Sequence, residues 1–202
     1  MLPRPASKLA LAATFGLALA TPLAIAWAAQ NGQETIVYGP NYAQDRAEIE
    51  DLMARYLFAM DYHDYDAYAE CFTEDGVLDY AMGRLEGREA IRAEARVFKD
   101  KVGEIFKDWQ GNPAKLRHTI GQQAIRVEGD RAWNTGFWWE MTNGGPGGSL
   151  ATPSFGTYED ELARVDGRWL FKRRKIYNEF LPGRESGPVN PVAAMDAAAQ
   201  NG

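Results

Sequence analysis

The stretch that decides the fold runs from Ile49 to Tyr80 and reads IEDLMARYLFAMDYHDYDAYAECFTEDGVLDY. Its first half carries apolar side chains at intervals of three and four, which places them on one helix face. They are Ile49, Leu52, Met53, Tyr56, Leu57 and Met60. The stretch predicts a first helix over about 45–62 and a shorter one over 64–72. A turn at 74–76 and a short strand over 77–80 are expected to follow.

Asp61 extends the apolar row of Met53 and Leu57, so its carboxylate is expected to point toward the core. It lies in the last turn, where the helix dipole disfavours negative charge, and an unpaired buried carboxylate is costly. The chain has two histidines, and His118 lies in a strand-like segment that the core can reach. We therefore predict that Asp61 orients the His118 imidazole and leaves the other ring nitrogen as a free general base.

The rest of the chain changes from helical to strand patterns. A third helix is predicted over about 87–106, followed by strands over 117–128, 131–142, 154–165 and 168–180. The dipeptides Gly129-Asp130 and Asp166-Gly167 divide these strands into two hairpins. Three N-terminal helices followed by a four-strand meander predict an α+β fold, with the helices packed on a strongly curved, mainly antiparallel sheet. The open end of such a cone is a natural small-molecule pocket.

The N-terminal 28 residues have the pattern of a signal peptide. Arg4 and Lys8 precede an apolar run, and Ala26 and Ala28 supply the small residues that a signal peptidase recognises. We predict cleavage after Ala28 and export to the periplasm or the medium. An uncleaved membrane anchor is the alternative, but the run is short for a span and is interrupted by Pro22.

The remaining chain is expected to form one domain with two loose ends. Residues 29–44 read as a flexible lead-in, 45–182 as the domain, and 183–202, rich in Pro, Gly, Ala and Asn, as a loose tail. The first 28 residues contain two basic and no acidic residues, so the rest carries 20 basic and 28 acidic residues, a net charge of −8. This charge argues against nucleic acid or an anionic membrane as a partner. Cys71 is the only cysteine, which excludes an intramolecular disulfide.

Three segments together resemble the SnoaL-like proteins of the NTF2-like superfamily. They are the stretch 49–80, the run Arg117-His118-Thr119-Ile120-Gly121 and the run Val165-Asp166-Gly167-Arg168-Trp169. The resemblance covers about residues 45–180 and implies the NTF2-like cone.

The resemblance also implies roles for individual residues. Asp61 and His118 match the dyad of several cofactor-free enzymes of the superfamily, including scytalone dehydratase and bile-acid 7α-dehydratase. Tyr80 matches a catalytic tyrosine of the former, and Tyr56 a site tyrosine of the latter. Asn178 aligns near a substrate-binding arginine of the bile-acid enzyme. The second histidine of scytalone dehydratase has no counterpart in 138–142, so the identity of the substrate cannot be transferred.

The third predicted strand region is unusually aromatic. Alternation places Trp138 on one face and Trp133, Phe137 and Trp139 on the other. We expect Trp138 to line the pocket and contact a flat, apolar ligand. The opposite face could instead form a dimer interface, which makes a homo-oligomer possible.

These features predict a cofactor-free dehydratase acting on a small, cyclic, apolar molecule. His118 is the expected base, Asp61 its orienting partner, and Tyr80 and Tyr56 the candidate proton or hydrogen-bond donors. No cluster has the spacing of a metal site, so no metal or cofactor is predicted. A double-bond isomerase with the same dyad is a close alternative. A non-catalytic module that binds a lipophilic molecule is the alternative from another class.

Overall fold

A computed structural model of the chain describes residues 37–200, which form helices packed against a single sheet. The helices are α1 (Tyr42–Tyr62), α2 (Tyr65–Glu70), α3 (Arg88–Ile105) and α4 (Pro191–Gln200). The strands are β1 (Phe72–Tyr80), β2 (Gly83–Glu86), β3 (Leu116–Glu128), β4 (Arg131–Thr142), β5 (Ala151–Val165) and β6 (Arg168–Asn178). A 3₁₀ turn occupies Pro146–Gly148.

The six strands form one sheet in the order β2-β1-β6-β5-β4-β3. Every neighbouring pair is antiparallel except β1 and β6, which run parallel. Both predicted hairpins are present: Glu128 pairs with Arg131, and Val165 pairs with Arg168. The predicted α+β class with a curved, mainly antiparallel sheet is therefore confirmed.

The apolar stripe of α1 faces the sheet as its spacing predicts. Ile49, Met53 and Tyr56 are at most 1% exposed and belong to one core cluster with Phe72 and Phe171 of the sheet. Burying a side chain of this size contributes about 1.5–3 kcal/mol. This packing fixes the angular position of α1, and with it the direction in which Asp61 points.

The segment after α2 differs from the expectation. The turn predicted at 74–76 is wrong, because β1 already begins at Phe72 and continues through it. The pairing of β1 with β6 shifts between Phe72 and Val77, so the Gly76 region is an irregularity inside a strand. A Cβ at Gly76 would lie 2.9 Å from the Thr73 carbonyl oxygen, which explains the glycine. The edge strand β2 was not predicted, and the four-strand meander becomes a six-stranded sheet.

Both ends of the domain carry more structure than expected. The first helix begins at Tyr42, inside the predicted lead-in. Residues 191–200 form α4 instead of a loose tail, and its Met195 and Ala199 pack on Trp133. Asp196 forms an ion pair with Arg126, with 2.7 Å between Oδ1 and Nε. The few apolar residues of this short helix are enough to stabilise it, because they cover an aromatic ring that would otherwise face water.

The predicted signal peptide and its cleavage site lie outside the described residues, so export stays a prediction. Among residues 37–200, every helix is too short or too polar to cross a membrane.

Candidate active site

The helices and the sheet enclose a cavity of about 1050 Å³. Its wall is mainly apolar and includes Leu78, Leu85, Ile91, Phe98 and Ile176. All six residues singled out from the sequence also line it: Tyr56, Asp61, Tyr80, His118, Trp138 and Asn178. The fold therefore brings these residues, which lie up to 122 positions apart in the chain, to one chamber.

Asp61 binds His118 through both carboxylate oxygens. Its Oδ1 lies 2.6 Å from the ring Nδ1, and its Oδ2 accepts the backbone N–H of His118 at 2.8 Å. The end of α1 thereby docks on β3, and the buried carboxylate has the partner that its position demanded. Because an ionised carboxylate only accepts hydrogen bonds, Nδ1 carries a proton and the ring is held in one orientation.

The second ring nitrogen is not free, contrary to the expectation. The Nε2 atom of His118 lies 3.2 Å from Oε2 of Glu140, a buried residue directly opposite on β4. The imidazole is therefore held between two carboxylates, and its own side chain is 12% exposed. Glu140 also lines the cavity, and its Oε1 has no hydrogen-bond partner within residues 37–200.

The two carboxylates determine the charge of the ring. Burial lowers the pKa of His118, but the hydrogen bonds and charges of Asp61 and Glu140 outweigh it and raise this pKa to about 9. The imidazole is therefore protonated at pH 7, and the cluster of three side chains carries one net negative charge. Before substrate binds, the imidazolium is therefore a proton donor.

The sequence analysis missed Glu140 because the strand register is shifted by a bulge. Ala124 pairs with Thr135, and the regular ladder would place His118 opposite Met141. Between Gly121 and Ala124 the register shifts, with Gln122 in a left-handed conformation (φ 41°). In such a bulge, two residues of β3 lie opposite one residue of β4, so the partner of His118 changes from Met141 to Glu140. The one available signal was the alternation that places Glu140 on the same face as Trp138.

The two predicted tyrosine donors already have partners. The Tyr80 hydroxyl donates to Oε1 of Glu94 at 2.7 Å, and burial together with this bond raises the pKa of Tyr80. Tyr56 is fully buried, and its hydroxyl lies 3.0 Å from the hydroxyl of Tyr68. Burial is also the main reason why the pKa of Tyr56 is raised. Neither hydroxyl is a readily released acid, so His118 is the better proton donor in this cavity.

Trp138 and Asn178 occupy the floor of the cavity on neighbouring parts of the sheet. The Trp138 ring is stacked on Tyr158, with 5.9 Å between centroids, and lies 6.1 Å from the His118 ring. Its Nε1 donates to the carbonyl of Tyr177, so the ring is fixed. The side-chain oxygen of Asn178 is buried and has no partner in the described part of the chain. It is available to accept a hydrogen bond from a ligand.

The opposite sheet face is only partly covered. Trp133 lies under α4, whereas Phe137 and Phe155 are each about half exposed (51% and 52%). The possibility of a homo-oligomer through this face stays a prediction.

A buried arginine supports the floor from behind. Arg174 is 0% exposed and donates two hydrogen bonds to Asp160, from Nε and Nη2, each 2.8 Å long. Its guanidinium lies 4.2 Å from the Tyr56 ring, 4.1 Å from Tyr158 and 3.9 Å from Phe171. These cation–π contacts hold the rings that back the cavity.

Within residues 37–200, no group of three His, Cys, Asp or Glu side chains has a metal-binding arrangement. The polar side chains that line the cavity include those of the His118 cluster, the two tyrosines and Asn178, together with Tyr68, Ser154 and Tyr158.

Solved structures of similar fold include several proteins from bacteria. A variant of the Mycobacterium tuberculosis protein Rv3472, described as of unknown function, is 25% identical with a TM-score of 0.57, covering 78% of this chain and 95% of that one. A Catenulispora acidiphila protein in complex with S-DNPA is 26% identical with a TM-score of 0.57, covering 68% and 95%. A putative scytalone dehydratase from Novosphingobium aromaticivorans is 21% identical with a TM-score of 0.55, covering 73% and 95%, and supports the fold alone.

Sequence comparison adds mycobacterial relatives and a family. The uncharacterized proteins Rv2910c of Mycobacterium tuberculosis and Mb2934c of Mycobacterium bovis are each 32% identical over 89 residues, 44% of this chain and 54% of theirs. The chain thus spans about half the length of the curated relatives it matches. A family model described as SnoaL-like domain matches residues 41–175. This match covers well over half of the sequence and confirms the resemblance: the chain belongs to the SnoaL-like domain family.

Proposed function

We propose that this protein is a cofactor-free lyase of the dehydratase type that removes water from a small, cyclic, apolar hydroxy-carbonyl compound. One observation carries the proposal: a histidine oriented by a buried aspartate lines a large and mainly apolar cavity. Proton transfer by an oriented side chain contributes about 10²–10⁴-fold to a rate. The apolar wall suits a hydrocarbon ring, and the few polar groups suit its oxygens.

The proposed reaction needs two proton transfers. A proton leaves the carbon next to a carbonyl group, the carbon–oxygen bond of the β-hydroxyl breaks, and a carbon–carbon double bond forms between the two carbons. The hydroxyl departs as water after receiving a proton. His118 takes part in these transfers, and Asp61 keeps its ring in place through the bond to Nδ1. Trp138 and Asn178 are proposed to contact the substrate, the first through its ring and the second through its amide oxygen.

The test is turnover of a panel of cyclic β-hydroxy ketones, followed through the ultraviolet absorbance of the enone product. We expect His118→Ala and Asp61→Asn to lower kcat by about 10²–10⁴-fold and about 10-fold or more, respectively. His63→Asn is the matched histidine control, since it removes the other imidazole and asparagine tolerates the left-handed φ of 61° at that position. Asp51→Asn is the matched aspartate control, on an exposed turn of α1. Both controls should retain wild-type turnover.

Two results would redirect the proposal. Conversion of β,γ-unsaturated ketones to the α,β isomers, without loss of water from any panel member, would identify an isomerase with the same dyad. Tight binding of panel compounds without any turnover by the wild-type protein, and unaltered by His118→Ala, would identify a binding module.

A further inference from the structure

We propose that Glu140 is a further catalytic residue of this site: its carboxylate takes the proton from carbon while the His118 imidazolium protonates the departing hydroxyl. This inference rests on the proposed dehydration and assigns its two proton transfers to two different side chains. From the sequence, His118 was the expected base and Tyr80 and Tyr56 were the candidate donors to the departing oxygen.

Of the two carboxylates that contact the imidazole, only one can readily accept another proton. Both oxygens of Asp61 are engaged, one by Nδ1 and one by the backbone N–H of His118. Glu140 contacts the ring through Oε2 alone, and its Oε1 has no hydrogen-bond partner in the described residues. Glu140 is thus the one carboxylate of this cluster that can take a proton without breaking an existing bond.

The position of Glu140 gives its carboxylate access to a substrate in the cavity. Glu140 lines the cavity beside His118 and opposite Ser154, on the row of side chains that crosses β3, β4 and β5. Its Oε1 is shielded from solvent, but the last side-chain torsion of a glutamate is soft and can turn this oxygen toward a bound molecule. At 5% exposure, the residue would be sealed from water by a substrate resting on it.

The proton between His118 and Glu140 lies on the imidazole. The ring and Glu140 form an ion pair, with 3.2 Å between Nε2 and Oε2, and this pair exists only while Nε2 carries its proton. His118 therefore cannot take a second proton at Nε2 in this arrangement. It can give that proton to a hydroxyl that comes within reach, as a ring with a pKa of about 9 would at pH 7.

The cycle balances. The carbon proton moves to Glu140, the electron pair of the carbon–hydrogen bond forms the double bond, and the carbon–oxygen bond breaks. The leaving oxygen takes the Nε2 proton of His118 and departs as water. A protonated Glu140 then faces a neutral imidazole, and transfer of one proton between them restores the starting state. The site needs no outside acid or base.

The experiment compares Glu140→Gln, Glu140→Asp and Glu128→Gln on the panel compound that the wild-type protein dehydrates. Glutamine keeps an oxygen that can accept the Nε2 proton, so a merely positioning role for Glu140 would survive this change. We expect Glu140→Gln to lower kcat at least 100-fold with KM changed less than about threefold, and Glu140→Asp to recover at least tenfold over glutamine. Glu128→Gln, an exposed glutamate of the same hairpin, should retain wild-type kcat.

A pH profile supplies the second readout. For the wild-type protein, kcat/KM should fall as pH rises through about 9, because His118 loses the proton that it donates. The inference is overturned if kcat/KM instead rises toward pH 9, or if Glu140→Gln keeps kcat within about fivefold. If His118→Ala is inactive in that case, the proposed dehydratase survives without this role for Glu140. If the wild-type protein turns over no panel compound, both proposals fail together.

A titration of the ring by ¹⁵N NMR, in a His63→Asn background, tests the ion pair without turnover. Glu140→Gln should lower the pKa of His118, since one of the two carboxylates that raise it is removed. If the pKa of His118 is unchanged in Glu140→Gln, the ion pair between the two residues does not form in solution, and the inference is overturned.

Discussion

His118 and Glu140 face each other across β3 and β4, with 3.2 Å between Nε2 and Oε2, because a bulge at Gln122 shifts the strand register by one residue. Without that bulge the regular ladder would set His118 opposite Met141. The contact with Glu140, one of the causes that raise the pKa of His118, thus depends on a backbone irregularity at the edge strand of the sheet.

The pH dependence of stability should report the His118 cluster. The pKa of His118 is raised in the folded state to about 9, above the ordinary value of about 6.5. Protonation therefore favours folding, and this contribution is fully present below pH 6.5 and is lost as pH rises to about 9. Its size is about 3 kcal/mol. Urea unfolding between pH 6 and pH 10 should show this fall in the wild-type protein, and His118→Gln should remove it.

The bulge itself can be tested at Gln122. A non-glycine residue in the left-handed region costs about 1 kcal/mol, so Gln122→Gly should raise the free energy of unfolding by up to that amount. Gln122→Ile should lower it, since a β-branched side chain is disfavoured there. In the same strand, Thr119→Gly should be destabilising by about 0.5–1 kcal/mol. Equal effects of glycine at 119 and 122, measured by urea unfolding, would argue against the strained conformation.

Arg174, the buried arginine behind the cavity, and Asp160 should depend strongly on each other for their contribution to stability. Arg174→Met leaves the Asp160 carboxylate buried, with Asn134 as its remaining donor in the described hydrogen bonds, and should cost about 3–5 kcal/mol of stability. The neighbouring Arg173→Met removes only partly exposed ion pairs and should cost less than about 1 kcal/mol. The double variant Arg174→Met with Asp160→Leu should regain most of the loss. Equilibrium unfolding in urea measures all three, and a double variant no better than Arg174→Met would contradict the coupling.

Tyr80 should matter less to turnover than the resemblance to the superfamily enzymes implies. Its hydroxyl proton is already donated to Glu94, so Tyr80→Phe should change kcat less than about tenfold, far less than His118→Ala. Steady-state kinetics on the same panel compound measures both. A loss with Tyr80→Phe as large as that with His118→Ala would restore the tyrosine as the proton donor.

Much of the fold followed from local patterns. The α1 stripe and the two Asp/Gly hairpin turns depend on neighbours in the chain, and strands β4 and β6 begin where predicted. The pairing of Asp61 with His118 also followed, because a carboxylate at the core end of a helix has few ways to be stabilised. The turn predicted near Gly76 was wrong, because the acidic residues and glycine that are typical of a turn also occur at an irregularity inside a strand.

The sequence by itself determined the helix face, the hairpins, the family and the first partner of the histidine, because each depends on short-range periodicity or on a motif. Only the tertiary structure decided the second partner, Glu140, since a one-residue register shift is invisible in strand alternation. It also decided that α4 forms, because a helix of ten residues, even an alanine-rich one, is marginal until it packs on Trp133. The raised pKa of His118 accordingly depends on the assembled fold, which brings Asp61 of α1 and Glu140 of β4 to the same ring.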